Sequence, residues 1–263
     1  MIATILKVPF LRKKFLFWLK YKYFHELEFS IPIGSGYHAN LLECDAYDSF
    51  AEIFIRREYD SIIEGIKFHN GRILDIGAHY GYFSLWLQSQ NPQLEIHSLL
   101  IEPSLQCMRS LKTLSLDPKV NRQFTILNRI IGDPLSERSS FYERPFMAGS
   151  SIANNDDEHP TYVKTLQIRE ITKYAPPPYD LVKCDIEGAE WQLLTNYSEI
   201  LVQSRYLLME WHSWHNGHGG LPQIKKKLND LGFIILRSSP HVQAIGRDGE
   251  VGLTLAENKN FTR

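Results

Sequence analysis

Three acidic motifs in the chain carry residue types that could bind a ligand or move a proton. The first is ILDIGAHYG, residues 73–81, in which an apolar run ends in a turn punctuated by glycine. Gly77 and Gly81 tolerate backbone dihedrals that other residues resist, and they let the backbone pass close to a ligand. Asp75 would repel a phosphate but can accept a hydrogen bond from an ammonium group. The motif therefore predicts a ligand-binding turn between a strand and a helix.

The second motif is an acid directly after the next apolar run. Glu102 follows SLLI, residues 98–101, and a carboxylate at that position can accept both hydroxyls of a ribose. Enzymes that bind NAD use an acid in the same way, so Glu102 alone does not identify the ligand. The spacing G-x-x-x-G differs from the G-x-G-x-x-G of dinucleotide-binding folds. Together with Asp75, these features favour S-adenosylmethionine over NAD.

The third motif is DLVKCDIEGAE, residues 180–190, again a strand with an acid at its carboxyl end. One structural explanation is that Asp185 caps the following helix while Glu187 and Glu190 complement the helix dipole. That explanation leaves Gly188 unexplained, because a glycine so close to a helix start indicates close approach by a ligand or another backbone segment. Asp185 and Glu187 are therefore predicted to be site residues.

A carboxylate and an imidazole follow a further strand. Glu210 and His212 lie in LMEWH, residues 208–212, and should reach the same sheet edge as Asp185. Titratable groups that share a cleft push their pKa values apart, as an acid/base cluster requires. The same residues could bind a divalent metal, but their spacing fits no specific metal motif. The sequence therefore predicts an acid/base cluster and no metal.

The elements that position these residues alternate between strand and helix, which is the pattern of a doubly wound, mostly parallel α/β sheet. Strands are predicted at Arg72–Ile76, Ile96–Ile101, Phe124–Leu127, Asp180–Cys184, Tyr206–Met209 and Phe233–Leu236, with Val251–Ala256 as an edge strand. Helices are predicted at Tyr82–Gln90, Ser104–Leu116, Ala189–Tyr197 and Pro222–Leu231.

Domain organisation is predicted from shifts in composition. Residues 1–46 should form an extension with a basic amphipathic helix and short strands, and residues 47–263 the main domain. Residues 132–160 break the alternation and are predicted to form a lid or specificity loop. The basic, aromatic stretch 1–22 is too charged to span a membrane. It is expected either to contact a membrane surface or to pack on the domain or on a second subunit.

Overall composition constrains partners and compartment. The 263 residues have a formal net charge of -1, which gives no indication of nucleic-acid binding. The three cysteines are odd in number and far apart, so a reducing cytoplasm is the simplest location.

Taken in order, the motifs resemble FkbM-type methyltransferases over about residues 53–212. The resemblance implies the class I methyltransferase fold, S-adenosylmethionine as cofactor, and methylation of hydroxyls on sugars or secondary metabolites. It places the cofactor's amino-acid end at Asp75, Gly77 and Gly81, and its ribose at Glu102. By the same resemblance the turn Asn128 to Asp133 holds adenine, while Asp185, Glu187 and His212 lie in the reacting region. His79 stands where the family usually has Asn, and it is expected either to hydrogen-bond the cofactor similarly or to change the conformation of the loop.

The expected reaction is an in-line attack of an acceptor oxygen on the sulfonium methyl, with Asp185 or His212 accepting the proton. The acceptor is expected to be a small molecule or a glycan. Two other classes remain: a nicotinamide-dependent oxidoreductase, and a non-catalytic domain that docks on a membrane or a partner.

Overall fold

A computed structural model describes residues 22–23, 28–43, 45–69, 71–143, 160–213, 220–239, 242–243 and 249–262 of the chain. The predicted amphipathic helix of residues 1–22 lies outside the described residues except for Lys22. So do residues 144–159, which are most of the segment predicted as a lid, and residues 214–219.

The apolar runs of the chain form one central, mostly parallel sheet, as the sequence predicts. Its order is β10-β12-β9-β8-β3-β4-β5, and the short β11 pairs with β12. Pairing is parallel from β9 through β5 and antiparallel for β9/β12 and β12/β10. The strands are β3 (Arg72–Ile76), β4 (His97–Ile101), β5 (Phe124–Leu127), β8 (Tyr179–Cys184), β9 (Ser204–His212), β10 (Phe233–Ser238), β11 (Val242–Gln243) and β12 (Glu250–Asn258).

The prediction of an edge strand at Val251–Ala256 is wrong. Strand β12 lies inside the sheet, where it is hydrogen-bonded to β9 on one side and to β10 on the other. Its residues Leu255 and Ala256 are buried on opposite faces, in two different core clusters. The chain therefore returns antiparallel into the gap between β9 and β10, and β10 becomes the edge.

Helices cover both faces of the sheet because successive strand residues point to opposite sides. Ile73 belongs to the core under α3 and α4, whereas its neighbour Leu74 belongs to the core under the helices of the other face. These helices are α3 (Tyr82–Gln90), α4 (Met108–Leu116), α5 (Ile168–Tyr174), α6 (Glu190–Asn196), α7 (Ser198–Leu201) and α8 (Leu221–Asp230).

The segment before β3 packs on the sheet rather than apart from it. Tyr37, Ala39 and Leu41 are buried in the same core cluster as α3. The elements here are β1 (Phe29–Gly34), β2 (Tyr37–Leu41), α1 (Ala46–Phe50), a π-helix (Ala51–Ile55) and α2 (Asp60–Ile63). The division of the chain at residue 46 stays a prediction.

A second, small antiparallel sheet forms from two segments that follow β5 in the chain. Part of the segment predicted to be irregular forms β6 (Arg138–Phe141), which pairs with β7 (Thr161–Lys164). The irregular segment therefore begins later than predicted, because residues 138–141 pair with residues 161–164. Among the described residues, the helices are too short or too polar to span a membrane.

Candidate active site

A cleft opens at the carboxyl ends of β3, β4, β8 and β9, where parallel strands bring their last residues to one edge. The cleft has a volume of about 1060 Å³, which includes space that is open to bulk solvent. Six of the residues singled out in the sequence line it: Gly77, His79, Glu102, Asp185, Glu187 and Glu210.

The glycine turn after β3 is shaped by the protein itself. Gly77 has φ +73°, and a Cβ there would lie 1.7 Å from the carbonyl oxygen of Asp185. Glycine is therefore required so that the ends of β3 and β8 can approach each other. Gly81, with φ +76°, precedes α3 and faces the side chains of Leu100, Leu111 and Leu114, so its close neighbours are core residues and not the cleft.

Glu102 and His79 form the wall of the cleft between β3 and β4. The Glu102 carboxylate accepts hydrogen bonds from the backbone N–H of His79 at 2.8 Å and of Ser104 at 2.9 Å. Burial raises the pKa of Glu102 to about 7, against these two hydrogen bonds. Burial also lowers the pKa of His79 to about 4, so its imidazole is neutral at pH 7. Its Nδ1 lies 2.7 Å from Ser49 Oγ, while Nε2 has no hydrogen-bond partner among the described residues.

Lys183 lies under the cleft floor and was not recognised in the sequence. Its ammonium donates to the Gly77 carbonyl at 2.7 Å and lies 3.3 Å from Asp185 and 3.7 Å from Asp75. Burial acts to lower the pKa of Lys183, but the two carboxylates outweigh it and raise the pKa. A lysine inside the apolar run LVKC, residues 181–184, was the available signal, because buried lysines are rare unless paired.

Asp185 does not cap the helix that follows it, contrary to the structural explanation considered for the sequence. Helix α6 begins at Glu190, and its N-cap is Ala189. The intervening turn places Glu187 in the left-handed region, φ +52°, and the Gly188 N–H donates to Glu190 at 3.0 Å. Asp185 is thus left on the cleft wall, with its side chain 27% exposed.

His212 ends β9 and is buried behind the cleft wall. Its Nδ1 lies 2.9 Å from Glu190 Oε1, and its Nε2 lies 3.7 Å from Glu187 and 3.9 Å from Glu210. Burial acts to lower the pKa of His212, but Glu190 and then the other carboxylates raise it to about 10. Burial and Asp185 raise the pKa of Glu210 as well. Among the described residues, ligand atoms of Asp185, Glu187 and His212 lie within 4.8 Å of one another, close enough to hold a metal ion.

Five of the predicted site residues do not line the cleft. Asp75 is buried; its Oδ2 accepts a hydrogen bond from Ser84 at 2.7 Å, and its Oδ1 has no hydrogen-bond partner in the part of the chain that the structure describes. Asn128 donates to the carbonyls of Glu102 and Pro103 and so supports the turn after β4. Asp133 is exposed and accepts from the backbone of Leu135. The remaining two, Gly81 and His212, are described above and also lie outside the cleft lining. Their roles stay predictions.

Other residues of the cleft were missed because they come from outside the strand-end motifs. The π-helix region contributes Ser49, Glu52, Glu58 and Tyr59. Burial and the neighbouring Glu58 raise the pKa of Glu52 to about 7. An apolar wall of the kind that suits a planar base is built from Ile130, Ile131 and Phe141.

Strand order, glycine turn and acidic strand ends together define a class I methyltransferase of the Rossmann-like α/β type. The sequence of residues 75–235 matches the model of the methyltransferase FkbM domain. No curated protein matches the chain.

Distant structural likenesses accompany that match. The methyltransferase FkbM from Methylobacillus flagellatus KT is 15% identical with a TM-score of 0.46, over 72% of this chain but only 45% of that one. TrmK of M. capricolum, solved with S-adenosylhomocysteine, is 12% identical with a TM-score of 0.41, over 78% of this chain and 70% of that one. The putative tRNA (m1A22) methyltransferase Sp1610 of Streptococcus pneumoniae is 9% identical with a TM-score of 0.45, over 79% and 72%.

The chain belongs to the FkbM methyltransferase family, because the matched region covers more than half of it. Its cofactor is S-adenosylmethionine. The cleft fits this molecule, because its lining includes the buried carboxylate of Glu102, the imidazole of His79, whose Nε2 has no hydrogen-bond partner among the described residues, and the apolar side chains of Ile130, Ile131 and Phe141. Family membership also stands against the nicotinamide oxidoreductase considered for the sequence.

Proposed function

We propose that this methyltransferase acts on a hydroxyl oxygen of a sugar or another polyhydroxylated small molecule. One observation carries the proposal: Asp185 and Glu210, at the ends of neighbouring strands, line the same cleft as Gly77 and Glu102. Carboxylates accept hydrogen bonds from hydroxyls and can take up their protons. Glu52, which lines the same cleft, adds a further hydrogen-bond acceptor.

The cofactor's position is proposed from the same lining. Glu102 would accept the ribose hydroxyls, since each of its oxygens keeps a lone pair beyond the backbone bond it already accepts. The apolar wall of Ile130 and Ile131 would contact adenine. When bound, S-adenosylmethionine supplies a methyl group on a positively charged sulfur, and the acidic cleft favours that charge electrostatically.

Proton removal is proposed for the cleft carboxylates Asp185 and Glu210 rather than for His212. Both carboxylates line the cleft, whereas the His212 side chain is only 2% exposed. A base must come within hydrogen-bond reach of the acceptor hydroxyl. His212 would act on the acceptor's proton only indirectly, through its contacts with Glu187 and Glu190.

An acceptor screen with methyl-labelled S-adenosylmethionine tests the reaction. Sugars, nucleotide sugars and polyhydroxylated metabolites are offered, and the methylated atom is identified by NMR. We expect label on an ether oxygen, and a loss of about 100-fold or more in kcat for Asp185→Asn with little change in cofactor binding. Label on nitrogen or on a carboxyl oxygen would overturn the hydroxyl proposal.

A cytoplasmic location is proposed as well. Cys107 and Cys184 are buried, unpaired thiols, which are typical of proteins in reducing compartments. Fractionation of cells that express the protein tests this directly, with recovery of the chain in a secreted fraction as the contrary result.

A further inference from the structure

We propose that Asp185, Glu187 and His212 bind a divalent metal ion beside the cleft, where the methyl acceptor is proposed to bind. The sequence predicted no metal, because the spacing of these residues along the chain matches no known motif. Folding brings them together from the ends of two neighbouring strands, β8 and β9. The position beside the acceptor rests on the proposed function, but binding of the ion does not.

The geometry suits one ion held by three protein ligands. One atom from each residue lies within 4.8 Å of the others. Bonds of about 2.0–2.2 Å to carboxylate oxygen and imidazole nitrogen place ligand atoms roughly 3–4 Å apart. The Asp185 and Glu187 side chains are 27% and 20% exposed, so they can move the remaining distance toward a fixed imidazole.

The imidazole is fixed by a residue outside the ligand set. His212 Nδ1 lies 2.9 Å from Glu190 Oε1, and both side chains are 2% exposed. This contact orients the ring so that Nε2 faces Glu187 and Glu210 on the cleft side. Metal-binding histidines are commonly oriented in this way, by a carboxylate on the other ring nitrogen. The buried Glu190 thus has a role that an ordinary acidic surface patch would not require.

The charge around this point also favours a cation. Four carboxylates belong to this region: Asp185, Glu187, Glu190 and Glu210. The neighbouring ammonium of Lys183 is shared with Asp75 and the Gly77 carbonyl. Ionised carboxylates so close together repel one another strongly in a partly buried site. A divalent ion offsets that repulsion and leaves the cleft nearer to neutral.

Two carboxylates and one imidazole, with positions open toward the cleft, fit ions of the Mg²⁺ and Mn²⁺ class. Such an ion lowers the pKa of a coordinated hydroxyl. Asp185 would then hold the ion, and Glu210 would remain beside it to take the acceptor's proton. The acceptor class that follows is one with two neighbouring oxygens, because these can occupy adjacent open positions.

Manganese binding to the full-length protein tests the site without any acceptor. EDTA-treated protein is titrated with MnCl₂, and free Mn²⁺ is followed by electron paramagnetic resonance. We expect one ion per chain, with affinity about tenfold or more weaker in Glu187→Gln and in Asp185→Asn. Glu58→Gln removes a carboxylate from the same cleft outside the ligand set and should bind Mn²⁺ nearly as the unmodified protein does.

Binding of S-adenosylhomocysteine without metal shows that each variant is folded and that the cofactor site is intact. The metal site would be overturned if Asp185→Asn and Glu187→Gln bound Mn²⁺ as tightly as Glu58→Gln does. It would also be overturned if the unmodified protein did not bind Mn²⁺. The proposed hydroxyl methylation would survive either result, since the acceptor screen examines it separately.

Discussion

Lys183 is the only cation that the described residues place between the ends of β3 and β8, where two carboxylates and a carbonyl converge on it. It forms an ion pair with the fully buried Asp75 and ties the glycine turn to the neighbouring strand through its hydrogen bond to the Gly77 carbonyl. Removing one partner of a buried ion pair leaves an uncompensated charge. The consequence should be visible in stability before it is visible in catalysis.

Lys183→Met should lower the free energy of unfolding by about 3 kcal/mol or more, as measured by urea denaturation. The exposed Lys226→Met on helix α8 serves as control and should change it by less than about 0.5 kcal/mol. Adding Asp75→Asn to Lys183→Met should recover part of the loss. Full stability of the single variant would contradict the role given to this ion pair.

Glu102 is predicted to hold the ribose of the cofactor. Glu102→Ala should weaken binding of S-adenosylhomocysteine about 10- to 100-fold in calorimetry, because hydrogen bonds to a charged group are each worth about 1.5–3 kcal/mol. Glu58→Ala, which removes a different carboxylate from the cleft lining, should bind it almost unchanged. Equal effects of the two substitutions would mean that the cofactor lies elsewhere.

Glu102 should also make stability depend on pH. Its pKa rises from an ordinary 4.5 to about 7 on folding because the carboxyl is buried. The folded state therefore binds this proton more tightly, so the stabilisation is complete below about pH 4.5 and is lost as the pH rises through 7.

Between about pH 5 and about pH 8, the unmodified protein should lose about 2.5 kcal/mol of unfolding free energy relative to Glu102→Gln. Urea denaturation at several pH values measures the difference. Glu199→Gln, on the exposed side of α7, should run parallel to the unmodified protein. A pH-independent difference between the protein and Glu102→Gln would show that the carboxyl keeps its ordinary pKa.

Among the elements, the turn after β3 depends most on a single residue. Gly77→Ala should abolish stable folding, or lower the unfolding free energy far more than the strain of φ +73° alone, because the new Cβ would meet the Asp185 carbonyl at 1.7 Å. Gly65→Ala is the matched control, since Gly65 has φ +75° with open space around it. It should cost about 1 kcal/mol, the strain of a left-handed alanine. Similar losses in thermal denaturation would exclude the clash.

Strands β3, β4 and β8 could be predicted because each is an apolar run followed by a polar turn, a local pattern. The position of β12 could not. Its alternation of apolar and small residues predicts a half-buried edge strand. Its position inside the sheet follows instead from its pairing with β9 on one side and β10 on the other. Pairing between distant segments has no local signature in one sequence.

For the whole molecule, the basic, aromatic stretch 1–22 is predicted to contact a membrane surface or to pack on the domain or on a second subunit. If residues 1–22 contact anionic lipid, the full-length protein should sediment with vesicles that contain phosphatidylserine and not with phosphatidylcholine alone. Substitution of Lys13 and Lys14 by glutamate should abolish this, while S-adenosylhomocysteine binding stays unchanged. Equal sedimentation of the charge-reversed protein would favour packing on the domain or on a second subunit.

The class of fold and the acidic strand ends could be predicted from the sequence, because hydrophobic periodicity and turn-forming residues are properties of short segments. Asp185 and Glu210 were expected together for the same reason, as residues that end parallel strands. The roles of Lys183 and Glu190 and the entry of Glu52 into the cleft required the folded chain. Buried charges take their partners from segments far apart in sequence, and only packing specifies which carboxylate meets which cation.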